Sequence, residues 1–334
     1  MIERLLICRS KGVDPYENLA LEEALLRRVE QGELILYLWQ NERTVVIGKN
    51  QNPWKECRTA LLTEEGGHLA RRLSGGGAVF HDLGNLNFTF LTSAEDYGLS
   101  RQLGVLEQAC LGLCIPVRRS GRNDLLADGR KFSGNAFYSH GGKAYHHGTL
   151  MVDVDLDLVQ RYLSPSRAKL EAKGVDSVRS RVVNLNAFVP GLTVEVLSEA
   201  LISALTTVYG CMPEFLDPED VPFRPLVEKY RSDAWLYGRR LPFTVSLEDR
   251  FSWGGVEIRL DVNEGVIRAV QVYTDSMDET LAPRLETGLT GCRFSPAPLQ
   301  ALYRRYGYTA YHTGRFEEYE LYARNRNFLR TDRI

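Results

Sequence analysis

Arg71-Arg-Leu-Ser-Gly-Gly-Gly-Ala-Val-Phe80, continued by His81-Asp-Leu-Gly-Asn-Leu-Asn-Phe-Thr-Phe90, is the most informative stretch of the chain. Its three consecutive glycines, at 75–77, carry no Cβ, so a ligand can approach the backbone N–H groups directly. Arg71 and Arg72 stand just before them, and each offers the planar, charged fork that phosphate oxygens accept bidentately. The pattern predicts a loop that binds an anion, and the alternative is a glycine-rich bend with solvated arginines.

The glycine stretch fits neither of the two commonest phosphate-binding motifs. No Gly-Lys-Ser/Thr follows at P-loop spacing, and Phe80 breaks the dinucleotide fingerprint. Residues 86–90 alternate between apolar and polar side chains after an Asp-Leu-Gly-Asn turn, which predicts a strand, a turn and a second strand. His81, Asn85 and Asn87 would then lie on the less apolar side.

Three more segments accompany this stretch in the same order: Gly121-Arg-Asn-Asp124, Asp128-Gly-Arg-Lys-Phe-Ser-Gly134 and His146-His-Gly-Thr149. Together the four closely resemble the lipoate-protein ligases of the bacterial type, in the lipoyl/biotin ligase superfamily. The basic Gly-Arg-Gly-type loop of the biotin-protein ligases is not found here. The resemblance implies an α+β fold. A large catalytic domain of mixed and antiparallel sheets flanked by helices (1–245) would precede a small α+β C-terminal domain (246–334).

Composition is that of an ordinary globular protein. The 334 residues suffice for two domains, with 44% hydrophobic and 25% charged residues. Lys plus Arg number 41 against 43 Asp plus Glu, so no overall basic field would hold nucleic acid. No run predicts a membrane span or a signal peptide. Six cysteines without a Cys-x-x-Cys pair indicate reduced thiols, and we expect a cytoplasmic monomer.

The resemblance also assigns site residues. Lys131 would be catalytic, because the matching lysine of the family bridges the lipoate carboxylate and the adenylate phosphate. The residues that would bind the nucleotide are Arg72, Gly77, Ala78, Val79, Phe80, Asn123, Asp124, Lys131 and Arg181. Those that would bind lipoate are Ser74, Gly75, Gly76, His81, Lys131, His147 and Gly148. In this family the start of the first helix, around 18–22, borders the lipoyl pocket.

Local patterns add expectations about individual segments. Residues 34–39 and 44–48 read as a hairpin, and 130–137 and 145–152 as a pair of strands. Alternation along 130–137 would put Lys131 on the same face as Ser133 and Asn135, although a strand lysine is often a solvated edge charge. The basic segment 164–181 is either a surface helix and loop or, as the resemblance favours, a mobile lid over the nucleotide.

The implied activity is the ATP-dependent conversion of lipoate to lipoyl-adenylate. The lipoyl group would then pass to a lysine of the lipoyl domains of 2-oxoacid dehydrogenase complexes or of the glycine cleavage H protein. Mg²⁺ would accompany ATP, with Asp124 as its ligand unless that residue only forms an Asx turn. The alternatives are an ATP-independent octanoyl or lipoyl transferase and a non-catalytic lipoate-binding paralogue. A cysteine-dependent transferase is disfavoured, because no cysteine lies near the glycine loop in the sequence.

Overall fold

The computed structural model describes residues 2–120, 124–164, 182–238, 242–251 and 253–294. These residues form two compact units that divide after Gly238. The first contains an eight-stranded and a three-stranded sheet with helices, and the second contains a three-stranded sheet. The predicted α+β fold class is therefore confirmed. The assignment of a catalytic role to residues 1–245 and an accessory role to residues 246–334 stays a prediction.

The large sheet combines parallel and antiparallel pairs. Its strands are β1 (Arg4–Arg9), β2 (Glu33–Trp39), β6 (Asn85–Ser93), β7 (Val117–Ser120), β8 (Asp124–Ala127), β9 (Arg130–His140), β10 (Lys143–Met151) and β11 (Pro213–Leu216). Their spatial order is β11-β1-β2-β6-β10-β9-β8-β7. Strand β1 pairs in parallel with β2 and β11, whereas the pairs from β2 to β7 are antiparallel. The small sheet of this unit has the order β4-β3-β5, from β3 (Thr44–Ile47), β4 (His68–Arg71) and β5 (Val79–His81).

The described residues of the first unit form eight α-helices. They are α1 (Pro15–Arg28), α2 (Pro53–Glu56), α3 (Thr59–Glu64), α4 (Leu99–Gly112), α5 (Leu156–Tyr162), α6 (Val194–Tyr209), α7 (Arg224–Arg231) and α8 (Asp233–Leu236). The Asp14 side chain accepts from the first backbone N–H groups of α1, and Pro15 opens the helix. Gly210, at φ 75°, ends α6 in the left-handed conformation. In the part of the chain that the structure describes, no helix is long and apolar enough to cross a membrane.

Alternation along the strands divides the large sheet into two buried faces. Leu34, Leu36 and Leu38 of β2 pack with α4 and α6 on one face, which we call the α4 face. Their neighbours Tyr37 and Trp39 pack on the opposite, α1 face, against α1 and α7. Because side chains of a strand alternate between faces, the polar residues of β6 and β10 fall on a defined side. That division positions the candidate site.

The predicted hairpin does not form. Strand β2 lies in the large sheet and β3 in the small one, so residues 34–39 and 44–48 are not partners. The predicted strand, turn and second strand after the glycines do form, as β5 and β6, which lie in different sheets. Both β2 and β3 are buried at every residue, so neither shows the one-sided alternation that would indicate its partner. The connection instead buries Asn41, which bonds to Asn18 and His81.

The second unit contains an antiparallel sheet of β12 (Val245–Phe251), β13 (Gly254–Asn263) and β14 (Val266–Thr274). Helix α9 (Leu281–Leu289) packs its apolar side on this sheet around Ile258 and Leu260. A tight turn joins β13 to β14. Its two central residues, Glu264 and Gly265, have φ values of 51° and 74°, as a two-residue hairpin turn with right-handed strand twist requires.

Candidate active site

The glycine loop between β4 and β5 is organised from inside by Arg72. The guanidinium is buried and donates from Nη2 to the carbonyls of Gly75 (2.8 Å) and Gly77 (2.7 Å). In a trans peptide the carbonyl and the following N–H point in opposite directions. The N–H groups of Gly76 and Ala78 are therefore directed away from the guanidinium. Gly76 adopts φ 91°, which residues with a Cβ avoid.

Arg72 is a buried cation whose immediate partners are neutral. Besides the loop carbonyls it bonds to the Ser74 hydroxyl (3.0 Å) and to the carbonyl of Val46 (3.2 Å). Burial lowers the pKa of Arg72 to about 10, and the charges of Tyr145 and Glu22 oppose this shift. The group stays positive at neutral pH, so its field favours an anion at the loop.

Arg71 does not extend the phosphate fork that the sequence predicted. Its guanidinium donates to the backbone carbonyls of Gly48, Lys49, Gln51, Trp235 and Leu236. The Trp235 indole N–H donates a hydrogen bond to the Arg71 carbonyl at 2.8 Å. Adjacent residues of a strand point to opposite sides, so only Arg72 turns toward the glycine loop. Arg71 instead ties the end of β4 to the segment that closes the first unit.

A β-bulge turns Lys131 to a different face from the one predicted. In the pairing of β8 with β9, Leu125 is opposite Ser133, but the next residue, Leu126, is opposite Lys131. Phe132 is the extra residue, and its buried ring joins the core of the α4 face. Cross-strand partners lie on the same side of a sheet. Lys131 therefore lies on the opposite face from Ser133, and the prediction of a shared face is wrong.

The α1 face receives the lysine. The Nζ of Lys131 lies 3.2 Å from the position that a Cβ on Gly134 would occupy, and the Thr149 hydroxyl lies 3.9 Å from the same point. Thr149 accepts the backbone N–H of Gly134 at 3.3 Å and shares its face with His147, two residues earlier in β10. Gly134, which has no side chain, leaves room for the ammonium group.

His147 connects the sheet, helix α1 and the glycine loop. Its Nδ1 lies 2.8 Å from the carboxylate of Glu22, and its Nε2 lies 2.8 Å from the hydroxyl of Ser74. Thr89, which is opposite His147 on β6, donates to the same carboxylate oxygen at 2.7 Å. The resemblance placed the range 18–22, which ends at Glu22, beside the lipoyl pocket, but no individual role was predicted for Glu22 or for Thr89. A carboxylate within the apolar part of a buried helix was the signal that could have identified Glu22.

Two more polar side chains are buried near this arrangement. His81 contacts the Nδ2 of Asn41 through its Nδ1 (3.1 Å) and lies edge-on to Trp39. Among the described residues, the other nitrogen of His81 and the amide nitrogen of Asn87 have no hydrogen-bond partner. Burial lowers the pKa of His81 to about 3, so its ring is neutral. Asn87 shares the α1 face with Thr89, which makes both groups candidates for contact with a ligand.

His146 faces the opposite side. Its ring packs against Phe88, Phe90 and Phe137, and its Nε2 contacts the Asn135 side chain at 2.8 Å. These contacts favour a structural role for His146 over a role as a general base. A Cβ on Gly148 would lie 2.5 Å from the Gly134 carbonyl oxygen. Position 148 therefore requires glycine because the two strands pack closely there.

The remaining predicted residues divide into two groups. The predicted residues from Arg72 to Phe80 form one continuous segment. The ring of Phe80 packs against Tyr162 in a small apolar cluster, so only the backbone of Phe80 could contact a ligand. Asn123, Arg181 and the side chain of Asp124 lie outside the described residues, as does the predicted lid at 164–181 except for residue 164 itself. Within the described ranges, no cluster of three or more His, Cys, Asp or Glu side chains could hold a metal ion.

Sequence comparison identifies the class of protein. Residues 14–206 match the family described as the lipoyl protein ligase A/B catalytic domain, which is more than half of the chain. The chain therefore belongs to this family of lipoate-protein ligases. Residues 241–323 match the bacterial lipoate protein ligase C-terminus. The resemblance that the motifs indicated is confirmed.

Solved structures with the same fold include three relatives. LipL1 of P. falciparum, in complex with lipoate, is 27% identical with a TM-score of 0.78, and the match covers 96% of this chain and 99% of that one. The bipartite lipoate protein ligase of Thermoplasma acidophilum, analysed with its E2 lipoyl domain, is 28% identical over 73% of this chain and 100% of its own, with a TM-score of 0.63. A lipoate-protein ligase A bound with ATP is 28% identical over 71% and 99%, with a TM-score of 0.62.

Proposed function

We propose that this protein activates lipoate with ATP and transfers the lipoyl group to a specific lysine of a lipoyl domain. The acceptors would be the acyltransferase subunits of 2-oxoacid dehydrogenases and the glycine cleavage H protein. Relatives of the same fold support the proposal, since one holds lipoate, one holds ATP and one was analysed with its E2 lipoyl domain. The site residues of this chain supply the rest of the argument.

The first step joins two anions. A carboxylate does not acylate an amine at neutral pH, because oxide is too poor a leaving group. In the proposed step a lipoate oxygen attacks the α-phosphorus of ATP, pyrophosphate leaves, and lipoyl-adenylate forms. Such a reaction needs positive charge and oriented donors at the attacked phosphorus. Arg72 would supply the positive charge from the inner side of the loop, and the N–H groups of Gly76 and Ala78 would supply the donors, in a loop whose residue Gly77 is exposed.

The position of Lys131 carries the proposal. The bulge at Phe132 turns the lysine to the α1 face, where Thr149 and His147 also lie. An ammonium group there would pair with the lipoate carboxylate and the α-phosphate together, then stabilise the charge that develops as pyrophosphate departs. Lys131 is therefore our candidate catalytic residue. A lysine on the α4 face would be directed into the apolar core instead.

Lipoate would lie along the α1 face, between helix α1 and the sheet. The proposed contacts are the ones assigned from the resemblance: Ser74, Gly75, Gly76, His81, Lys131, His147 and Gly148. The nucleotide would lie across Arg72 and the loop from Gly77 to Phe80, reaching Asn123, Asp124 and Arg181. Mg²⁺ bound to nucleotide phosphates needs only one or two protein carboxylates, and Asp124 stays our candidate.

In the second step the ε-amine of the acceptor lysine attacks the carbonyl of the adenylate, and AMP leaves as an amide forms. The nucleophile belongs to the acceptor, so this chain need not supply one. That agrees with its thiols, because burial raises the pKa of Cys8, Cys57 and Cys110 to about 12. A thioester transferase would need an ionised and accessible cysteine.

The decisive experiment is lipoate-dependent exchange of labelled pyrophosphate into ATP, with Mg²⁺ present and no acceptor protein. Exchange that requires lipoate would demonstrate reversible adenylation. If exchange is absent and an acceptor domain is instead modified from an acyl carrier thioester, the protein is a transferase. If neither reaction occurs, the protein is a lipoate-binding paralogue and the proposal is wrong.

A further inference from the structure

A chain of hydrogen bonds connects the glycine loop to helix α1. Arg72 donates from Nε to the Ser74 hydroxyl at 3.0 Å, Ser74 contacts the Nε2 of His147 at 2.8 Å, and the Nδ1 of His147 contacts Glu22 at 2.8 Å. From the other side, the Thr89 hydroxyl donates to the same oxygen of Glu22 at 2.7 Å. All five side chains are buried. The chain therefore links the loop to the interior of the unit without a gap.

The hydrogen-bonding groups along this series of side chains are complementary. An arginine only donates, so the Ser74 oxygen accepts from Arg72. We assign the tautomer of His147 with its proton on Nδ1, which donates to Glu22, so that Nε2 accepts from the Ser74 hydroxyl. In this tautomer every donor in the series is directed toward Glu22.

Glu22 is also the buried negative charge that balances Arg72. Their side chains do not touch, but the Glu22 charge opposes the loss of basicity that burial imposes on Arg72. Removing one member of a buried charged network leaves the others without compensation. Loss of the carboxylate would free both the histidine tautomer and the Ser74 hydroxyl to reorient. Arg72 would then lose the partner that fixes its plane beneath the loop carbonyls.

We propose that Glu22 is a positioning residue for adenylation. Acting through His147 and Ser74, it fixes Arg72 in the orientation that turns the N–H groups of Gly76 and Ala78 away from the guanidinium. This inference rests on the proposed function and adds a residue to it. The proposed effect of Glu22 on adenylation is exerted through these side chains and does not depend on a contact between Glu22 and ATP.

The test is a double-mutant cycle in the full-length protein, measured by lipoate-dependent pyrophosphate exchange. Glu22→Gln keeps the side-chain shape but removes the charge, and we expect kcat to fall about 10- to 100-fold, the loss typical of a charge-assisted hydrogen bond. Ser74→Ala breaks the chain at its other end. Because both act through one chain, the double variant should be no slower than the slower single variant. Ser74→Thr, which restores a hydroxyl, should recover most of the rate.

Glu23→Gln is the matched control. Glu23 is the next residue of α1 and is buried, but it bonds to Lys229 and Tyr230 instead of to the chain. Its loss should lower the melting temperature and leave kcat unchanged. If Glu22→Gln does not fold, Thr89→Val takes its place in the cycle. Losses that multiply in the double variant, or a kcat for Glu22→Gln equal to that of Glu23→Gln, would overturn the inference. Lipoate-dependent exchange absent from the unaltered protein would overturn the proposed function itself.

Discussion

Gly48 and Gly76 pack so closely that a Cβ on Gly48 would lie 2.3 Å from the carbonyl oxygen of Gly76. The residue after Gly48 reinforces this contact, since the N–H of Lys49 donates to the Ser74 carbonyl at 2.9 Å. The loop that follows β3 is therefore the support on which the glycine loop rests. No residue other than glycine fits at position 48 without displacing that loop.

We expect Gly48→Ala to displace the glycine loop. Overpacking against backbone costs about 1–3 kcal/mol, because a carbonyl group cannot move aside as a flexible side chain can. Thermal denaturation should show this loss, and pyrophosphate exchange should fall with it. Gly77→Ala is the control for folding, because no heavy atom lies within 4 Å of the Cβ position. It should change stability by less than about 0.5 kcal/mol while raising the KM for ATP.

Lys131→Ala should fold normally and lose adenylate formation. A half-buried strand lysine adds little to stability, whereas removal of a positive charge at the reacting phosphate should lower kcat on the order of 10²- to 10³-fold. Lys143→Ala is the matched control, since this lysine stands on the neighbouring strand and donates to the Arg27 carbonyl. Equal exchange rates in the two variants would remove Lys131 from the site.

The sequence identified the segments of the site better than their arrangement. The glycine loop and the strands that carry Lys131 and His147 were predicted where the structure has them, because turn residues and alternation are local signals. The face of Lys131 was not, because a bulge depends on the pairing of β9 with β8. Alternation counts residues along one strand and cannot detect an extra residue relative to its neighbour.

Glu22 shows a second limit of the same kind. On α1 it reads as one more acidic residue of a helix, and its importance comes from Thr89 and His147, which are 67 and 125 residues away in the chain. Contacts at such separation are formed only by the fold. The cap at Asp14, in contrast, is a local feature that a sequence can reveal, because its partners are the next residues in the chain.

Acid should destabilise the protein through two buried histidines. Burial lowers the pKa of His81 and of His146 from about 6.5 to about 3. The unfolded chain takes up these protons below pH 6.5 and the folded protein does not, so stability is full above that pH and falls as the pH drops toward 3. Each histidine lowers the free energy of unfolding by up to about 1.4 kcal/mol for every pH unit in this range. Urea unfolding between pH 7 and 5 measures the slope.

His146→Gln isolates one of these two contributions, because this residue lies on the α4 face, away from the site. The variant should be less stable at pH 7. Its free energy of unfolding should nevertheless fall less steeply as the pH drops, because unfolding of the variant takes up about one proton fewer. A slope identical to that of the unaltered protein would show that His146 is protonated in the folded state.

Alkylation can test whether any thiol takes part in the reaction. Cys114 is exposed, whereas Cys8, Cys57 and Cys110 are buried and have raised pKa values. Iodoacetamide at pH 8 should label Cys114 in the folded protein and spare these three, as mass spectrometry of peptides would show. Pyrophosphate exchange should survive both this labelling and Cys114→Ser. Loss of acyl transfer after labelling would instead point to a cysteine mechanism.

The bulge at Phe132 also bears on how such an enzyme could lose its activity during evolution. Inserting a single residue into β8 opposite Phe132 would restore regular pairing of β8 with β9, and Lys131 would then share the α4 face with Ser133. The lysine, the glycines and the histidines would all remain recognisable in such a descendant. Inactive members of the family could therefore arise by a change of strand register, with every signature residue still in its sequence.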